Sequence, residues 1–177
     1  MGRDLSKFLH PLVAEFIRPQ TWSDLAWLAV ARGPGSFTGT RIGVVTARTL
    51  AQHLQLPLFA LSVLAAHAWA GIVLKPVVGA QVIVAVEMPG QRDVVHGGLY
   101  QVTSDSPQLT TLIPDRAYPI PEWEAVLAAQ PVIHRRVKTA DPLIQSQALG
   151  QALLTLGHQQ WRQGDRPPWQ MALPYYG

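Results

Sequence analysis

The most chemically suggestive stretch is Arg32-Gly33-Pro34-Gly35-Ser36-Phe37-Thr38, a glycine-rich turn placed before a helix. Free backbone N–H groups and the helix dipole favour an anion at such a place. Gly33, Gly35, Ser36 and Thr38 are therefore the candidates for holding a nucleotide phosphate. Two comparisons count against that use. A Walker-type loop requires Gly-Lys-Ser/Thr, whereas Gly39 is followed by Thr40 and Arg41. A dinucleotide fingerprint requires G-x-G-x-x-G and an acid after the next strand; here the third glycine comes one residue late, and the next strand ends in Ser62. A turn that caps its helix, through Ser36 or Thr38, is the better reading.

The remaining reactive residues are scattered. None of the 11 carboxylates falls between Arg32 and Leu64, where a magnesium-phosphate centre would need one. Glu87 and Asp93 flank a hairpin turn and can approach each other, though a solvated turn is the plain reading. The 6 histidines form neither an i, i+4 pair nor an HExxH motif, so no metal site is expected. Ser36 is not in a G-x-S-x-G elbow. The absence of cysteine excludes thiol catalysis, disulfides and thiolate metal sites.

A chain of 177 residues with 48% hydrophobic and 14% charged content reads as globular, with an unusually neutral surface that hints at a covered face. The net charge of +3 does not by itself argue for a polyanion, because Arg135-Arg136-Val137-Lys138 is the only basic cluster. With no signal peptide and no long apolar run, no membrane association is expected and the cytoplasm is the expected compartment.

Local patterns give the elements. Residues 4–17 carry apolar side chains at helical spacing, with a kink or restart expected at Pro11. Leu28–Ala31 reads as a buried strand, Gly39 to about His53 as a helix, and Leu58–Leu61 as a second, parallel strand. Ser62 caps a helix from Val63 to about Val73. Val82–Val86 and Val94–Thr103 form a hairpin across Met88–Asp93. Further strands are expected at Leu109–Ile113 and Val132–Ile133, a short helix from Pro121 to Ala129, and a long one from Leu143 to about Trp161. The tail from Gly164 is expected on the surface. This order is that of an α/β or α+β fold.

What remains is surface. The first helix offers Leu5, Phe8, Leu9, Leu12 and Phe16. The central helix carries Gly39, Gly43, Ala47 and Ala51 four apart, a stripe almost without side chains that lets another backbone come close. If each helix shows a second face, the pair forms a platform for two helices of a partner. The candidate partner-binding residues are Leu5, Phe8, Leu9, Leu12, Phe16, Gly39, Arg41, Ile42, Gly43, Thr46 and Ala47, with Arg41 and Arg48 at the rim.

The run from Arg32 to Leu64 resembles the TsaB (YeaZ) family in Gly33-Pro34-Gly35-Ser36-Phe37-Thr38-Gly39, Arg41-Ile42-Gly43, Pro57 and Ser62-Val63-Leu64. Residues 4–17, Asp141–Leu156 and Leu173-Pro174-Tyr175-Tyr176 resemble its first helix, its C-terminal helix and its closing Pro-x-Tyr. The resemblance implies an ASKHA (actin-like ATPase, RNase H-like) α/β fold: a first lobe over 1–81, a smaller second lobe over 82–163 and a tail over 164–177. It implies a non-catalytic subunit that pairs with TsaD through the two helices just named. It further implies a third partner, the ATPase TsaE, and a tRNA modified at the adenosine beside the anticodon. ATP and magnesium would serve the complex rather than this chain, and a homodimer remains open. The alternative is a nucleotide-binding ASKHA-like enzyme using the Gly33–Gly39 turn.

Two departures from the family pattern stand out. Relatives open with strands bearing an Asp-Thr-Ser loop, so the first lobe is expected to be truncated, with Leu28–Ala31 an open sheet edge. Where relatives carry Asp-Ala-Arg-Arg-Gly-Glu-Val-Tyr, this chain has Glu87-Met88-Pro89-Gly90-Gln91-Arg92-Asp93-Val94-Val95.

Overall fold

The computed structural model describes residues 5–76, 81–103, 108–141 and 144–175, with side chains from Lys7 onward. Helix α1 (Leu5–Phe16) runs through Pro11 without a break, so no restart occurs there. Strands β1 (Leu28–Ala31) and β2 (Leu58–Leu61) pair in parallel, with Leu28 opposite Leu58 and Ala31 opposite Leu61. Helix α2 (Phe37–Leu54) joins them.

Alternation along these strands decides what each side chain meets. Leu28, Val30, Leu58 and Ala60 turn to α2, where Ala47 and Ala51 pack on them. Ala29, Phe59 and Leu61 turn the other way, toward helix α5 (Ser146–Arg162). Gly157 of α5 lies so near Trp27 that a Cβ there would sit 2.9 Å from the ring, so the helix comes close only because the side chain is missing.

Helix α3 (Val63–Leu74) is buried from Leu64 through Ile72, as an almost wholly apolar helix must be. It lies on a second sheet of four strands: β3 (Gln81–Pro89), β4 (Val94–Thr103), β5 (Gln108–Pro119) and β6 (Arg135–Lys138), in the order β5-β4-β3-β6. Only the β3–β6 pair is parallel. Val82, Val84, Val86, Tyr100 and Val102 face α3, and Ala85, Val95 and Leu99 face Trp123 and Leu127 of helix α4 (Ile120–Ala128).

Several elements depart from the sequence expectation. β5 runs to Pro119 rather than stopping at Ile113. Its prolines are tolerated because it is an edge strand, where an N–H pointing outward has no partner to lose. β6 forms at Arg135–Lys138, not at Val132–Ile133: Val137 is buried while Arg136 and Lys138 reach carboxylates. Leu143, the expected start of α5, lies outside the described residues, and the helix begins at Ser146. Although α5 follows the second sheet in sequence, it packs on α3, β1 and β2, so one apolar core joins Phe59, Leu64, Val84 and Leu156. The four-stranded sheet is built wholly from strands that follow α3 in the chain.

The tail does not simply lie on the surface. Leu58 donates its N–H to Pro167 O at 3.1 Å, Ala172 is buried against Leu58 and Ala51, and Tyr175 donates its N–H to Arg32 O at 2.7 Å.

Candidate functional site

The glycine-rich turn is shaped by its neighbours on both sides. Gly33 has φ 110°, a backbone state open to glycine, and a Cβ there would collide with the carbonyl of Tyr175. Val63 donates its N–H to Gly33 O at 2.9 Å, tying the turn to the start of α3. Ser36 is the cap of α2 and accepts from the Gly39 N–H at 3.3 Å. Gly33 and Pro34 are buried; Gly35, Ser36 and Thr38 are exposed. Gly35 and Ser36 border an open cleft of about 810 Å³, reaching His67, Met88, Thr139 and Ser146, with no charged side chain in its lining.

His67 is buried, with Nδ1 2.8 Å from Val63 O. Burial disfavours its charged form and prevails over the carbonyls of Val63 and Thr139, which favour a proton, so its pKa lies below the ordinary value.

The two-helix surface is uneven. On α1, Phe8 is 50% exposed, Leu12 52% and Phe16 88%, and Leu9 is half-buried. The Leu5 side chain lies outside the described residues. On α2 the small-residue stripe divides. Ala51 is fully buried and Ala47 half-buried against this chain's own strands. A Cβ on Gly43 would meet nothing within 4 Å. Gly39, Ile42 and Thr46 are half-buried. Arg41 is exposed, with its guanidinium 4.6 Å from the Phe37 ring centre, and Arg48 lies 5.5 Å from that of Trp169. Phe37 and Val45 are also more than half exposed. An apolar surface on α1 and α2 thus lies uncovered beside an opening at Gly43.

Glu87 and Asp93 do line one cavity, of about 390 Å³, together with Ile120, Trp123, Arg136 and Lys138. Glu87 is nevertheless committed: it accepts from Trp123 Nε1 at 3.0 Å and from Arg136 at 2.8 Å, with Lys138 at 3.6 Å. Burial opposes its charge, but the hydrogen bonds from Arg136 and Trp123 and the two cations outweigh that, holding its pKa below the ordinary value. Arg136 also binds Glu124 at 2.7 Å. The cluster anchors β6 and α4 to β3.

One cluster had no sequence signal. Asp115 on β5 accepts from Ser62 Oγ at 2.5 Å and from the Tyr100 hydroxyl, while its backbone carbonyl accepts from the Tyr175 hydroxyl at 2.7 Å. Burial and the adjacent Asp115 carboxylate push the Tyr100 phenol upward, and the same causes act on Tyr175. Ser62 also accepts from the Ala65 N–H at 3.0 Å. These partners stand 53 and 60 residues apart, beyond any local pattern; only the closing Pro-x-Tyr hinted at Tyr175. Among the described residues no group of three or more His, Asp or Glu side chains is placed to hold a metal ion. No helix among them is long and apolar enough to cross a membrane.

With this geometry in hand, known proteins supply the frame. The structure of YeaZ from Pseudomonas aeruginosa superposes with a TM-score of 0.74 at 24% identity, covering 98% of this chain and 85% of that one. The fold is therefore the actin-like, ASKHA-type α/β fold of the YeaZ structures. The TsaB protein of Bacillus subtilis (strain 168), named as a tRNA threonylcarbamoyladenosine biosynthesis protein, is 35% identical over 108 residues, 59% of this chain and 42% of the relative. The TsaB of Escherichia coli (strain K12) is 39% identical over 64 residues, 35% of this chain and 28% of the relative. The family model described as "TsaD: tRNA N6-adenosine threonylcarbamoyltransferase" matches residues 2–101, more than half of the chain. The chain belongs to the TsaB (YeaZ) family. Its matches span less than half the length of these curated TsaB relatives. Within the TsaB family frame, the matched residues 2–101 hold α1, the glycine-rich turn, α2 and α3, so the best-matched part of the chain contains the uncovered face.

Proposed function

We propose that this TsaB-family chain is a non-catalytic subunit that binds TsaD through α1 and α2. In that role it supports threonylcarbamoylation of the adenosine beside the anticodon in tRNA. The observation that carries the reading is the uncovered apolar face of α1 beside the open position at Gly43. Burying Phe8, Leu12 and Phe16 gains at most about 1.5–3 kcal/mol each, before the cost of association. A helix laid against Gly43 approaches more closely than any larger residue would allow. The names of the TsaB relatives and the TsaD-type model support the biosynthetic role. In this reading the chain works in the cytoplasm, the ATPase TsaE is the third partner, and ATP and magnesium serve the complex.

The test is co-purification of TsaD with the wild-type chain, Gly43→Leu and Phe16→Asp. A Cβ at position 43 meets nothing within 4 Å, so the fold should survive while TsaD is lost. Full retention of TsaD by both folded variants overturns the reading.

A further inference from the structure

We propose that the cavity where the C-terminal ends of β1 and β2 meet the last turns of α5 binds a small ligand carrying a single oxyanion, anchored by Arg32. The cavity holds about 440 Å³ and is lined by Arg32, Ser62, Thr111, Gln160, Gln163 and Asp165, among others. It lies outside the α1–α2 face and away from the exposed part of the glycine-rich turn.

Arg32 is the key. It is half-buried, and its guanidinium lies 5.7 Å from the Tyr175 ring centre. Among the described residues it meets neither a carboxylate nor a hydrogen-bond acceptor. Arg48 is placed alike, half-buried with its guanidinium 5.5 Å from the Trp169 ring centre, but it does not line this cavity. Arg136 binds two glutamates, Arg116 binds Glu122, and Arg135 and Arg166 donate to carbonyls at helix ends. A half-buried guanidinium that faces a cavity is a ready partner for an arriving anion. Its planar fork matches the two oxygens of a carboxylate or a phosphate. The outer ends of parallel strands are where open α/β sheets receive ligands.

The walls set the rest of the chemistry. Glutamine amides on α5 both donate and accept, and Ser62 and Thr111 add hydroxyls, so the ligand body is polar. Two carboxylates limit the charge: Asp165 at the rim, and Asp115 behind Ser62 and Tyr100. The two acids offset the Arg32 charge, so an anion that pairs directly with the guanidinium is held only weakly and a polyanion such as a nucleoside triphosphate is repelled. A hydroxy acid or an amino acid has the right form; a phosphate monoester offers the same oxygens with a larger charge and is the less favoured source.

The experiment is an NMR titration of the full chain with L-lactate, L-serine and inorganic phosphate. Saturable shifts in the millimolar range at Arg32, Ser62 and the α5 glutamines are expected, weakened about tenfold in Arg32→Gln and in Gln163→Glu. The stronger probe identifies the source, carboxylate or phosphate. Should Arg32→Gln fail to fold, Gln163→Glu on the exposed end of α5 carries the test alone. If no probe saturates, or if binding is undiminished in the folded variants, the proposal is overturned.

Discussion

Helices α1 and α3 have the same length, 12 residues, and both are rich in apolar side chains. The chain encloses α3 from Leu64 to Ile72, between the four-stranded sheet and α5, whereas α1 touches little besides α2 and leaves Phe16 88% exposed. Apolar content alone does not separate them. What differs is the arrangement: α3 is apolar on every side and must be enclosed, while α1 has one apolar face that stays exposed among the described residues. The glycines repeat the contrast. In α3, a Cβ on Gly71 would stand 2.9 Å from Val137 Cγ2, whereas on α2 a Cβ on Gly43 meets nothing.

Substitution tests that contrast directly. Leu64→Ala in α3, at a fully buried site, should cost about 2–5 kcal/mol in denaturant unfolding. A loss below about 1 kcal/mol would mean that α3 is not enclosed. Gly71→Ala should cost about 1–3 kcal/mol by overpacking against Val137, read from the same unfolding midpoints.

Acid provides a second lever on the enclosed side. His67 has a folded pKa below its ordinary 6.5, so the unfolded chain binds its proton first. Its contribution to stability is present above pH 6.5 and is lost as the pH falls through the lower folded value. Glu87 is likewise depressed from 4.5; its contribution is lost at still lower pH, as its folded pKa is crossed. Thermal melts from pH 7 downward should show the first loss abolished in His67→Gln and the second in Glu87→Gln.

Effects on the open side should be small for the isolated chain. Gly43→Ala should stabilise it by about 0.5–1 kcal/mol through helix propensity, since no neighbour objects. Phe16→Ser should change stability by less than about 0.5 kcal/mol. If it costs as much as Leu64→Ala, something in this chain covers α1 and the contrast collapses.

The limits of legibility follow the same line. β1, β2, β4 and the start of α3 were readable to the residue because each is bounded by its own punctuation: Arg32-Gly33, Pro57, Ser62 and the turn ending at Asp93. β5 was under-read because Pro114 and Pro119 look like stops until the strand is known to be an edge. β6 read only as a basic cluster, with the strand placed at Val132–Ile133, because its charged residues are held by pairing with β3 and by Glu87, 49 residues before Arg136. The small-residue stripe of α2 was visible, but not its division between Ala51, pressed on the strands, and Gly43, left open.

The sequence by itself determined the bounds of β1, β2 and β4, the start of α3 and the spacing of the apolar side chains, because these follow from a few turns or a few strand residues. Only the tertiary structure decided which apolar face stays uncovered. It also brought Ser62, Tyr100, Asp115 and Tyr175 together and set the Arg32 guanidinium over the Tyr175 ring. Those outcomes depend on contacts between distant segments, and no local pattern encodes what a side chain will find opposite it.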